Sequence, residues 1–170
     1  MLRIRLATLD NLIEVHRIAH ATWPIAYGEI LSPDQLQYML SMTYHPDSLR
    51  EQLEVKGHLF YMAEWEGQSV GFISLEPSFG AHQRLRIHKL YVLPDQQGKG
   101  IGRVLLEHAT TLAKQHGNAA LELNVNRYNP ARFFYESCGF TISYSEDIAI
   151  GNGYLMEDYV MVKEVGIGYN

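Results

Sequence analysis

A strand pattern that runs into closely spaced glycines and then into an amphipathic helix restricts this chain more than any other feature. The stretch RLRIHKLYVLPDQQGKGIGRVLL, residues 84–106, reads as a long strand reaching Pro94, then a turn holding Gly98, Gly100 and Gly102. Ile101, Val104, Leu105, His108 and Leu112 then trace one helical face to a stop at Gly117, and ALELNV, from Ala120, is a further strand. A strand–helix–strand unit belongs to a mixed α/β domain.

The flanks extend the same alternation of periods. Leu2, Ile4 and Leu6 alternate with Arg3 and Arg5 as a short strand, and Thr8 or Asp10 can cap the helix that carries Leu12, Ile13, Val15, Ile18 and Ala19. That helix is expected to end near TWPIAYGEI, where Pro24 interrupts it. A second helix starts at Ser32-Pro33, and a third, short one follows Pro46. HLFYMAEWEG and QSVGFISLEP form a hairpin across Glu66-Gly67-Gln68. NPARFFYESCG is a helix with Asn129 as cap and Pro130 at its first position, and FTISYSEDIAI and YLMEDYVMVKEV are two closing strands. The principal order is β-α-α-β-β-β-α-β-α-β-β.

With 170 residues and 46% hydrophobic content the expectation is one domain, residues 1–165, followed by a loose tail at 166–170. No apolar run approaches the roughly 20 residues of a membrane span, and the start lacks a signal-peptide pattern, so the chain is expected to be soluble and cytoplasmic. The single Cys138 agrees with a reducing compartment. A net charge of −5 offers no phosphate-tracking surface; nucleic acid is not expected as a partner, and a cationic substrate would be attracted. No metal site is expected: His16 and His20 have i, i+4 spacing but no flanking glutamate.

The glycines suit an anion, yet two phosphate motifs fail on spacing. Lys99 is followed by Gly100 rather than by Ser or Thr, as the Walker loop needs, and Gly98-Lys99-Gly100-Ile101-Gly102-Arg103 is not G-x-G-x-x-G. What remains is backbone N–H groups at a helix N-terminus, with Lys99 and Arg103 adding positive charge.

LYVLPDQQGKGIGRVLL resembles the acyl-CoA pyrophosphate loop of the GCN5-related N-acetyltransferases (GNAT), whose Gln/Arg-x-x-Gly-x-Gly/Ala signature is met by Gln97, Gly100 and Gly102. NPARFFYESCGF resembles the second motif of that family through Asn129, Phe134, Tyr135, Glu136, Gly139 and Phe140. ATWPIAYGEILSPDQLQYML and GYLMEDYVMVKEV are similar to a bacterial branch related to polyamine acetyltransferases. The resemblance implies a mixed, mostly antiparallel central sheet flanked by helices, with acetyl-CoA as cosubstrate.

It also implies roles. Gln97, Gly98, Lys99, Gly100, Ile101, Gly102 and Arg103 would hold the pyrophosphate, with Asn129 and Tyr135 also on the cofactor side. Leu90, Tyr91 and Val92 would pair with the pantetheine arm as an added strand. Tyr135 would protonate the departing thiolate.

Relatives often carry glutamate on the strand before the loop, whereas this chain has Arg86 and His88. His88, with an ordinary pKa near 6.5, is the candidate proton acceptor, and Glu122 a lesser one. Trp23, Tyr27 and Tyr44 could wall a cationic amine, with Glu29, Asp34, Glu157 or Asp158 supplying charge.

The function read from these residues is acetyl transfer from acetyl-CoA to a small primary amine by direct attack. A non-catalytic acyl-CoA sensor and a protein or peptide N-acetyltransferase stand as alternatives. The apolar terminal strands could pair between subunits in a homodimer.

Overall fold

In the computed structural model, which describes residues 1–166, every expected element forms. Of the loose tail expected at 166–170, residues 167–170 lie outside the described residues. Strands β1 (Leu2–Leu6), β2 (Leu59–Trp65), β3 (Gln68–Phe79), β4 (Arg84–Val92), β5 (Ala120–Asn126), β6 (Thr141–Gly151) and β7 (Tyr154–Glu164) alternate with helices α1 (Leu12–Tyr27), α2 (Pro33–Tyr44), α3 (Pro46–Glu54), α4 (Ile101–Gln115) and α5 (Ala131–Ser137). The strand order is β1-β2-β3-β4-β5-β7-β6 in a seven-stranded sheet flanked by helices. Pairs β1/β2, β2/β3, β5/β7 and β6/β7 are antiparallel and β4/β5 is parallel.

The chain gathers into two compact units. The first comprises Met1–Glu76 and Lys89–Glu107. Its core is built by Val15, Ile18 and Ala19 of α1, Leu40 and Tyr44 of α2, Leu49 of α3, and Phe60, Met62, Phe72 and Ile73 of the β2/β3 hairpin, all at most 3% exposed. Burying each large apolar side chain contributes about 1.5–3 kcal/mol. The hairpin closes through Glu66 and Gly67, both in the left-handed region, which matches the twist of the flanking strands.

Ser32 caps α2 as expected, accepting from Gln35 N–H at 3.1 Å. At the start of α1, Asn11 rather than Asp10 answers Thr8: Thr8 N–H donates to Asn11 Oδ1 at 2.9 Å. Pro24 does not end α1. The proline forfeits one backbone bond, but the helix closes one more turn, with Gly28 N–H donating to Pro24 O at 3.0 Å, and that turn follows the buried Trp23.

The second unit comprises Pro77–His88 and the chain from His108 onward. Parallel pairing joins Leu85 to Leu121 and Ile87 to Leu123, and β5, β7 and β6 continue outward. Asn129 shapes the start of α5, though Pro130 stands before the helix rather than in it: Asn129 Oδ1 accepts from Ala131 N–H at 2.9 Å.

A buried Asn118 secures a strained bend. Ser78 has φ +55°, its N–H donates to Asn118 Oδ1 at 2.8 Å, and Asn118 Nδ2 donates to Ser78 Oγ at 3.1 Å. Asn118→Ala leaves that bend without its donor and acceptor and is expected to destabilise by about 2 kcal/mol in urea unfolding. A loss below about 0.5 kcal/mol would show that the bend holds itself.

Candidate active site

In the first unit, β4 delivers the chain to the glycine turn. Leu93 N–H donates to Val70 O at 2.8 Å, and Pro94–Gln96 form one tight helical turn. Gln97 folds back, its Nε2 donating to Val92 O at 3.1 Å, so its side chain braces the strand end. Gly98 has φ +84° and Gly100 φ +79°, with Lys99 outside the left-handed region between them. Alternation of left-handed residues with ordinary ones is the backbone pattern of anion-binding concavities.

Among the described residues, the N–H groups of Gly98, Lys99 and Gly100 donate to no backbone carbonyl, and residues 97–100 are exposed. Helix α4 starts immediately after, adding the positive end of its dipole. Lys99 is tethered rather than loose: its Nζ donates to Gln96 Oε1 at 2.8 Å and lies 5.2 Å from the Trp65 ring centre. Arg103 is exposed on the first turn of α4.

Leu90, Tyr91 and Val92 are half-buried on the last residues of β4. Gly71 lets that strand approach: a Cβ there would meet Tyr91 O at 2.9 Å. The structure also brings Trp23, Tyr27 and Tyr44 together. The Trp23 ring lies 4.6 Å from Tyr27, 5.8 Å from Tyr44 and 6.0 Å from Tyr91, and the Tyr27 and Tyr91 hydroxyls are 2.9 Å apart.

The three are not equivalent. Tyr44 is fully buried and forms the floor of the cluster, Trp23 is 5% exposed, and Tyr27 is half-buried. Burial pushes the Tyr44 phenol well above its usual pKa; the nearby Trp23 N–H opposes that shift, although neither Trp23 Nε1 nor Tyr44 Oη reaches hydrogen-bond geometry with any partner.

A residue that pattern reading missed lies beside them. Lys89 is 9% exposed, its Nζ donates to Gln52 Oε1 at 2.6 Å, and it lies 5.9 and 5.6 Å from the Tyr44 and Phe60 ring centres. Desolvation first, and the charge of Lys56 second, lower its pKa from 10.5 to about 8. The signal was present: Leu85, Ile87 and Lys89 occupy one phase of the β4 alternation, the buried one.

In the second unit, Tyr135 on α5 is 9% exposed, its ring edge-on to Phe134 and Phe140 at 5.4 and 5.7 Å. His88 is half-buried and edge-on to Phe79 at 5.8 Å, and Arg86 lies over the same Phe79 ring at 5.5 Å. Glu122 serves as an ion-pair partner, 3.5 Å from Arg84 and 4.0 Å from Arg86.

Asp158, a candidate charge for the amine, belongs to a group across β5, β6 and β7 whose other members, Asn124 and Glu146, sequence reasoning missed. Asn124 Nδ2 donates to Glu146 Oε1 at 2.9 Å and to Asp158 Oδ2 at 3.1 Å, bridging carboxylates from β6 and β7. Asp158 is 3% exposed, and burial raises its pKa against the opposing hydrogen bond from Asn124. Burial likewise lowers the Arg86 pKa, opposed by Glu122, Glu146 and Asp158. His16 and His20 stack at 3.9 Å, and His16 Nδ1 lies 2.9 Å from Tyr44 O, a donor's position that ties α1 to α2.

Known proteins resemble this chain along most of its length. A family model described as an acetyltransferase (GNAT) domain matches residues 29–162. An uncharacterized N-acetyltransferase, YuaI, of Bacillus subtilis is 26% identical over 99% of this chain and 93% of its own length. A spermidine N(1)-acetyltransferase of Thermoplasma acidophilum is 26% identical over 92% of this chain and 96% of its own. The crystal structure of the PaiA N-acetyltransferase of Thermoplasma acidophilum, in complex with coenzyme A, superposes with a TM-score of 0.80 at 26% identity, covering 96% of this chain and 99% of that one.

Proposed function

This chain belongs to the GNAT acetyltransferase family and is an acetyl-CoA-dependent N-acetyltransferase, and from that premise we propose that its acceptor is a small cationic amine. The carrying observation is the exposed turn at Gly98–Gly100 just before α4, with positive φ at both glycines and N–H groups that donate to no backbone carbonyl among the described residues. Such a nest suits the pyrophosphate of coenzyme A. In this reading Leu90, Tyr91 and Val92 present their strand edge to the pantetheine amides, a β-augmentation that aims the thioester.

The chemistry has two proton steps. An alkylammonium of pKa about 10.4 leaves roughly one neutral molecule in 2,500 at pH 7, a cost of about 4.6 kcal/mol, so a group that takes its proton is useful. At the other end a phenol of ordinary pKa about 10 can protonate a thiolate of pKa about 8.5 when held close to it. Tyr135 is the candidate for that second role. His88 is the candidate that the β4 pattern supplies for the first.

The acceptor reading rests on the net charge of −5, the Trp23–Tyr27–Tyr91 cluster and the acidic groups around Asp158, together with the likeness to a spermidine acetyltransferase. Lys89 narrows it, because its ammonium already lies near the Tyr44 ring, which leaves the half-buried Tyr27 as the more accessible aromatic. The test is release of the CoA thiol with acetyl-CoA and a panel of spermidine, spermine, arylalkylamines, amino acids, aminoglycosides and short peptides. Release with the polyamines is expected; release with peptides alone would assign a protein acceptor instead.

A further inference from the structure

We propose that Asp158, rather than His88, takes the proton from the acceptor amine. The inference rests on the acetyl-transfer reading above and supplies the role which that reading leaves open.

Charge pairing in the second unit singles Asp158 out. Arg84 and Arg86 approach Glu122, and the Arg127 side chain lies at Asp147 and 3.8 Å from Glu157. Glu146 and Asp158 are left with a neutral amide between them, that of Asn124, and neither is within ion-pair distance of a cation among the described residues. Asn124 donates to Asp158 Oδ2, the one hydrogen bond that this carboxylate accepts among the described residues. A carboxylate 3% exposed and served by a neutral amide rather than a cation is expensive to keep charged unless something positive visits it.

Position supplies the second argument. The β4/β5 bridges end at Ile87–Leu123, so Asn124 is the first residue of β5 beyond them. Asp158 pairs in register with Asn126, the last residue of β5. From there the chain turns at once toward α5: Asn129 N–H donates to Asn126 O at 3.0 Å, and Arg127 N–H to Glu157 O at 2.9 Å. Asp158 of β7 therefore lies beside the end of β5, from which the chain leads into the helix that carries Tyr135.

The Asp158 carboxylate takes one proton from the ammonium, and the freed lone pair attacks the thioester carbon. Collapse of the adduct breaks the C–S bond, Tyr135 protonates the sulfur, and the nitrogen gives up its second proton to restore the phenol through solvent. One proton leaves per turnover, from Asp158 to water. The groups that set the Asp158 titration are Glu146 of β6, Arg86 of β4, Arg127 after β5 and the Asn124 amide. The raised pKa of Asp158 suits a carboxyl that must hold a proton briefly.

The experiment compares Asp158→Asn, His88→Gln and Asn124→Leu with the parent across pH 6–10, with the best amine of the panel. Asp158→Asn should lower kcat/KM about 100-fold near pH 7 and progressively less toward pH 10, where the amine deprotonates itself, with acetyl-CoA affinity and melting unchanged. Asn124→Leu removes a hydrogen bond to the charged carboxylate, so the acid limb of the profile should move to higher pH. An unaltered Asp158→Asn rate, an unmoved limb, or a 100-fold loss confined to His88→Gln would overturn the proposal. A parent that binds acetyl-CoA but acetylates no amine would instead overturn the acetyl-transfer reading itself.

Discussion

Replacing Tyr135 by phenylalanine is expected to lower kcat about a thousand-fold while leaving the KM for acetyl-CoA within a factor of about two, as loss of a positioned general acid does. The substitution deletes one oxygen. The ring keeps its edge-on contacts with Phe134 and Phe140, and the backbone keeps the two bonds that Cys138 and Phe140 N–H groups donate to Tyr135 O at 3.0 Å. Melting should therefore be little altered, which separates a lost proton donor from a lost core. Steady-state CoA release with the preferred amine, in parallel with thermal unfolding, is the measurement. Parent-like turnover would make Tyr135 a packing residue only.

The second large effect falls on stability. Lys89 has its pKa lowered to about 8 by burial, against 10.5 for a free lysine. A lysine depressed in the folded state costs stability at every pH below its folded pKa, and the cost fades as pH rises from about 8 to 10.5, where the unfolded chain alone still binds the proton. At about 1.4 kcal/mol per pH unit the cost near neutrality is about 3 kcal/mol. Lys89→Met keeps the unbranched stem among Tyr44 and Phe60 and discards the charge, and Gln52 retains its bond to Thr43 O at 2.9 Å. The variant should gain about 2–3 kcal/mol in urea unfolding at pH 7. The parent should gain on it between pH 8 and 10, and a constant difference over that range would contradict the argument.

Local chemistry made much of this molecule legible. Alternation located β1 through β7, the glycines marked their turns, and Ser32-Pro33 marked the start of α2, because each depends on residues within a few positions of one another. Pro24 misled for the complementary reason: the lost bond is local, but the burial of Trp23 that offsets it is not. Lys89 draws no attention in the sequence because a lysine suggests an exposed face, although its phase on β4 points inward. The Asn124 bridge could not be read at all. Its carboxylates lie 22 and 34 residues away, and only the β5/β7 and β6/β7 registers bring them together.

The turn at Gly98 and Gly100 has open space on the side where a side chain would stand: among the described residues nothing lies within 4 Å of a Cβ at either position. Volume is therefore irrelevant there, and handedness is the whole constraint, since positive φ disfavours L-residues and not their mirror images. A D-alanine introduced by chemical ligation should leave the turn intact where an L-valine collapses it, and among genetically encoded residues asparagine is the least costly substitute. The loop selects chirality rather than size.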